Sequence, residues 1–405
     1  MHAVLRGFLV AMIGILLAGD ALAQKKYDSG ASDTEIKIGN VVPYSGPASA
    51  YGVIGKVEAA YFRMINEQGG INGRKINFIS YDDAYSPPKT FEQARRLVES
   101  DEVLLIFSPQ GTPTNSAIQK YLNTKKVPHL FISSGATKWD DPKNFPWSMG
   151  HGPTYRTEGT ILAKYVMTTQ PDAKVAILYQ NDDFGKDFTK SFIEGLGEKR
   201  GMVLAQSAYE VSEPTIDSHI VNLRSSGATV LVSFATPKFA AQSIRRVAEL
   251  GWKPLHIVMS QSTSIGAVLS PAGIDNSQNL VSATYFKDVT DPQWKDDVGM
   301  KRYLAFLDKY MPGVDKTDSI LMLGYGKAQT LEHVLRESGD NLTRENLMKQ
   351  AASLQGIESD VLLPGITINT SPTNYSPIDQ LYMMQFRGDR WVLFGELMQG
   401  GRRKQ

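Results

Sequence analysis

The feature that most constrains the fold is an alternation of strand-like and helix-like runs that continues almost without a break. "EIKIGNVVPY" reads as a strand, "AYGVIGKVEAAYFRMINEQGG" as a helix stopped by glycines, "KINFISYDDAY" as a strand and "PPKTFEQARRLVES" as a helix opened by proline. "EVLLIFS", "TPTNSAIQKYLNTKK" and "PHLFISS" extend the order by strand, helix and strand. Strands separated by helices pair in parallel, because the crossover helix returns the chain to the same end of the sheet, and the helices cover both faces. After "DDPKNFPWSMGHGPTYRTEG" the pattern begins afresh, from helix "TEGTILAKYVMTT" and strand "AKVAILYQ" through to helix "PKFAAQSIRRVAELG" and strand "PLHIVMS". The Pro/Gly/Trp-rich stretch 140–153 is therefore the boundary between two α/β units. The last part has one strand, "NLVSATYFKDV", two long helices and a hairpin turning at Gly388-Asp389. These strands are too few for a third parallel sheet, so they return to the two units. The expected lobes are 24–150 plus about 278–350, and 151–277 plus about 351–405, with several crossings forming a hinge and a cleft.

The opening residues, "MHAVLRGFLVAMIGILLAGDALAQ", have a short basic start, an apolar run and an A-x-A site at Ala21-Leu22-Ala23. This is the pattern of a cleaved secretory leader over 1–23. The run is short for a membrane span and lacks a charged stop-transfer flank. No later run approaches that length, and a periplasmic location is expected. Cysteine is absent, which excludes thiol catalysis, cysteine metal sites and a lipidated cysteine. A chain of 405 residues has core enough to fold without disulfides. The formal charge of +1 offers no basic stripe, so no nucleic-acid partner is expected.

Three strand ends are rich in small polar residues. "SPQGTPT" supplies Gly111, Thr112 and Thr114 at a helix start, "SSGATKW" supplies Ser134, Ala136 and Thr137, and "YSGPASAYG" contains Tyr51. Ligands of open α/β sheets bind beyond the carboxyl ends of the strands, and helix N-termini favour anions. One such loop is only a cap or a turn. Three neighbouring loops make a floor for one carboxylate. Facing it, the second unit offers Phe184 in the polar loop "YQNDDFGKDF", Phe234 in "SFATPKF" and Gln261 in "VMSQSTS". An aromatic from each unit, Tyr51 and Phe184, would sandwich an apolar ligand body.

Signals for catalysis, a metal or a cofactor are missing. Six histidines include no H-E-x-x-H, and no G-x-S-x-G elbow or strand-borne G-x-G-x-x-G occurs. Gly55-Lys56, Gly185-Lys186 and Gly326-Lys327 lack the upstream glycine of a P-loop. Asp82-Asp83 and Asp182-Asp183 read as strand-end turns. No enzyme activity, cofactor or metal is expected.

The segments "IKIGNVVPYSGPASAYG", "INEQGGINGRKINFISYDDAYSP", "VPHLFISSGATKW", "YQNDDFGKDF" and "ELGWKP", in this order and spacing, give a chain that resembles the leucine/isoleucine/valine-binding proteins of ABC transporters. The resemblance spans roughly 35–397. It implies an α/β fold of the type I periplasmic binding protein: two Rossmann-like lobes with parallel central sheets, a hinge of three crossings and closure around one small solute. It implies delivery to a membrane permease by a monomer. The family's carboxylate-holding loops match Gly111-Thr112 and Ser134 to Thr137, and its two aromatics match Tyr51 and Phe184. Members that bind amino acids place an acid after the last strand of the second lobe, where this chain has Gln261. A buried ammonium without a carboxylate is costly. The expected ligand is thus a carboxylate with an apolar or aromatic body, with branched-chain amino acids disfavoured unless Asp182 or Asp183 takes the amine. A sensing subunit of a membrane receptor would share this fold; an exported α/β hydrolase lacks its nucleophile elbow.

Overall fold

The computed structural model describes residues 25–401; the expected leader lies outside the described residues. The first lobe is built on a five-stranded parallel sheet ordered Lys75–Asp82, Glu35–Val42, Leu105–Phe107, His129–Ile132 and Ser148–Gly150. The second is built on seven strands, Arg390–Gln399, Gln380–Arg387, Val281–Thr284, Leu255–Val258, Val230–Phe234, Val175–Gln180 and Val203–Tyr209. Its last five strands in that order are parallel, and the C-terminal hairpin adds two antiparallel strands at one edge. "VLVSF" is wholly buried, as expected of a central strand covered by helices on both faces.

Two boundaries differ from the sequence reading. Ser148–Gly150, inside the stretch read as a linker, pairs with His129–Ile132 and completes the first sheet. Val281–Thr284, assigned above to the first lobe, joins the second sheet by pairing with Gln380–Arg387. The chain then returns to the first lobe. Helices Val298–Tyr310 and Ile320–Ser338 pack against Gly52–Glu67, with Tyr61 edge-on to Tyr325 at 5.3 Å and tilted against Phe306 at 6.0 Å. Gly324 makes the approach of Ile320–Ser338 possible, since a Cβ there would lie 2.3 Å from Val57 Cγ1. Asp360, expected in the second lobe, takes hydrogen bonds from Tyr325 and Gln329 of the first. The pairing that decides these returns is long-range, so no local pattern announces it.

The lobes are closed on each other. On one side Lys138 Nζ meets Asp183 at 2.8 Å, and Thr137 N donates to Asp187 Oδ2 at 2.7 Å. On the other, Ser264 Oγ donates to Asp318 Oδ1 at 2.8 Å. Among the described residues, no helix is long and apolar enough to cross a membrane.

Candidate functional site

The small-residue loops meet as the sequence suggests, yet most of their polar groups are already engaged. Gly111 opens the helix Thr112–Lys125 at φ 101°, with Tyr85 lying where its Cβ would be. Thr112 Oγ1 and Ser134 Oγ share a hydrogen bond of 2.7 Å, and Tyr155 OH lies 3.2 Å from Thr112 Oγ1. Ser134 Oγ also accepts from Trp139 Nε1 at 2.9 Å and Ala136 N at 3.2 Å. The backbone N–H of Thr137 is occupied by Asp187 of the opposite lobe.

The aromatics divide. Phe184 is buried against Tyr155, with centroids 5.4 Å apart, in the closed interface. Tyr51 is buried with Ala48, Ile54, Tyr85 and Ile320, and Val211 and Ala267 of the second lobe pack on this cluster. Phe234 instead stacks on Phe188 at 4.1 Å, which itself stacks on Tyr155 at 4.8 Å. Its ring belongs to the second-lobe interior. Asp183 serves the bridge to Lys138, which holds its carboxyl below the ordinary range. Asp182 caps the helix Asp183–Leu196 through Phe184 N and Gly185 N, and burial pushes it up. Neither lies on the chambers described next.

Toward the hinge, the lobes enclose two adjoining chambers that share Ser260, Gln261, Tyr285, Phe286 and Leu323 as walls. One is mainly apolar, with Ile265, Ile320, Met322, Met384 and Trp391. The other is polar, with Ser133, Ser134, Gly135, His151, Glu158 and Lys327. At this closure they measure about 40 and 20 Å³, room for little more than waters.

Four of these residues, Glu158, Lys327, Tyr285 and His151, were not expected in the site from the sequence. Glu158, 4 % exposed, accepts from Ser260 N at 2.6 Å and Ser260 Oγ at 2.7 Å. Burial pushes it up to about 7 against those bonds. An acid therefore does line the cleft beside Gln261, reached from a different element, so the lack of an acid at position 261 does not exclude an amine-bearing ligand. Lys327, 3 % exposed, donates to Ser133 Oγ at 2.6 Å. Burial pulls it down to about 8, against the pull of Glu58. Tyr285 closes the wall between the chambers and is buried. His151 is kept neutral, since burial lowers it to about 3, with Nε2 2.9 Å from Thr330 Oγ1. Among the described residues no acid/histidine group with metal-site geometry is found.

Two lobes, a crossing chain between them and a lined cleft define a solute-binding protein. The chain belongs to the periplasmic binding protein family, whose pattern matches residues 35–390. It is 25 % identical over 362 residues to a Leu/Ile/Val-binding protein homolog of Brucella abortus, covering 85 % of this chain and 91 % of that one. Its fold superposes with TM-score 0.83 and 16 % identity on a branched-chain amino acid ABC transporter protein from Thermus thermophilus with bound valine, over 91 % of this chain and 98 % of the other. A solute-binding protein of an R. palustris ABC transporter, in complex with 4-hydroxybenzoate, superposes with TM-score 0.75 and 17 % identity, over 90 % and 97 %.

Proposed function

We propose that the chain is the periplasmic solute-binding component of an ABC importer, exported by its leader at 1–23, acting as a monomer and without catalysis. It captures a small carboxylate with an apolar body by hinge closure and hands it to a membrane permease. The observation that carries this reading is the pair of adjoining chambers between the lobes. One is charged and polar and the other mainly apolar, and they share Gln261, Tyr285 and Leu323. A ligand with a charged head and an apolar body fits such a split, because each part then replaces its hydration with a matched wall. The relatives include a valine complex and a 4-hydroxybenzoate complex, so the fold accepts both an amino acid and an aromatic acid. Glu158 supplies a carboxylate for an amine, and both ligand types belong to the proposal.

A thermal-shift and calorimetric panel of leucine, valine, phenylalanine, 4-hydroxybenzoate and hexanoate tests it. A ligand that binds only the folded chain raises Tm with concentration above its Kd. We expect saturable binding of at least one acid. A chain that binds none of them, but turns over a generic ester, would return the cleft to the hydrolases.

A further inference from the structure

The floor expected to hold the ligand's carboxylate is largely bonded within the protein, the Thr137 hydroxyl excepted, whereas a buried ammonium close by lacks, among the described residues, an anion in contact. We infer that Lys327, with the Ser133 hydroxyl it binds, is the group that holds the ligand's carboxylate, in place of the small-residue floor around Thr137. This rests on the reading of the cleft as a site for carboxylate solutes and adds where the anion sits.

Three observations carry it. First, Thr137 N is bonded to Asp187, and Ser134 Oγ is committed to Thr112, Trp139 and Ala136. To use them, an incoming carboxylate would have to break the lobe-closing bond to Asp187 or bonds within the first lobe. Second, Lys327 lines the polar chamber, and an ammonium has three N–H groups to donate. One goes to Ser133 Oγ. Its electrostatic partner, Glu58, accepts from Asn40 Nδ2 at 3.3 Å rather than from the ammonium. Burial disfavours the charged form of both groups, pushing Glu58 up to about 8 and Lys327 down to about 8. Third, the position is built. Lys327 lies one turn beyond Gly324, the residue that lets its helix sit against Gly52–Glu67. A cation placed so deep without an ion pair is costly, and an anion brought by the ligand offsets that cost.

The test uses calorimetry on the exported chain and its Lys327→Met and Ser133→Ala variants at pH 7. The probes are matched acid and primary-amide pairs: leucine with leucinamide, 4-hydroxybenzoate with 4-hydroxybenzamide, and hexanoate with hexanamide. The wild-type chain is expected to favour the acid of at least one pair by about 100-fold, as suits a desolvated charge pair. Lys327→Met, folded by circular dichroism, is expected to bring acid and amide within a few-fold of each other. Equal weakening of both would mean that the lysine only supports the wall, and overturns the inference. So does an acid preference that survives the substitution. If Lys327→Met does not fold, Ser133→Ala decides: it is expected to cut the acid preference by about tenfold, and an unchanged preference overturns the inference. A wild-type chain that binds none of the six probes overturns the functional reading, and the inference falls with it. One that favours an acid while Lys327→Met keeps the preference leaves the functional reading standing alone.

Discussion

Within five residues of one first-lobe loop, the cleft changes character. At Thr137 and Lys138 the lobe meets its partner directly, through Asp187 and Asp183. At Ser133 it meets Lys327 of its own lobe and faces a chamber walled by Glu158, Ser260 and Gln261. The rim satisfies its charges internally. The chamber buries one cation and one acid without an ion pair between them. A loop of uniform small polar composition thus meets the opposite lobe at one end and a polar chamber at the other, and the difference lies in what each end meets.

The largest expected effect comes from Phe188→Ala, in the second-lobe core behind the rim. Phe188 is fully buried between Tyr155 and Phe234, both stacked on it. Truncating such a ring costs about 3–5 kcal/mol, from lost transfer energy and the cavity left behind. Urea unfolding should show that loss. A cost below about 1 kcal/mol would mean that the stack relaxes, against the close packing expected of an interior.

A smaller effect belongs to the chamber. Burial raises Glu158 from its ordinary 4.5 to about 7. The folded chain therefore holds a proton there that the unfolded chain releases between those values. Stability from this group is greatest below about pH 4.5 and declines as pH rises toward 7, by roughly 1.4 kcal/mol per pH unit at most. Glu158→Gln keeps an acceptor for Ser260 N and removes the charge. Without ligand, the variant should gain on the wild-type chain steadily between pH 4.5 and 7, and the difference should then level off. A gap that does not change with pH would show that Glu158 titrates as an exposed acid. Taking the difference cancels the buried histidines His129, His151 and His256, all lowered to about 3 in both proteins.

Much of the architecture is legible in the sequence because it is local. Strand and helix periods, the proline and glycine stops and the Gly388-Asp389 turn each act within a few residues. The loops at 111–114 and 133–137 are legible for the same reason. Lys327, Glu158 and Asp187 are not. Lys327 sits in "LMLGYGKAQT" and reads as part of a failed phosphate motif, though a lone lysine in an apolar stretch of a long helix was a signal. Glu158 reads as an ordinary acid in the first turn of a helix. Their partners lie 194 and 102 residues away, and that of Asp187 lies 50 away. Phe234 shows the converse: its place at a strand end suggested the cleft, and the stack on Phe188 turns it inward.

The finest distinction comes from Asp187→Ala. Asp187 is half-buried, and Thr137 N gives it a charge-assisted hydrogen bond across the cleft. Such bonds contribute about 1.5–3 kcal/mol, the lower end being apt where solvent reaches the group. Losing it destabilises the closed state relative to the open one, and a ligand that binds the closed state loses affinity by the same factor. About tenfold weaker binding is expected. Solution scattering without ligand should show a larger radius of gyration, while the ratio of acid to amide affinity stays at its wild-type value. That unchanged ratio is the decisive part. If Asp187→Ala instead raised the acid preference, the freed Thr137 N–H would be holding the ligand's carboxylate after all, and Lys327 would be relegated to the wall behind it.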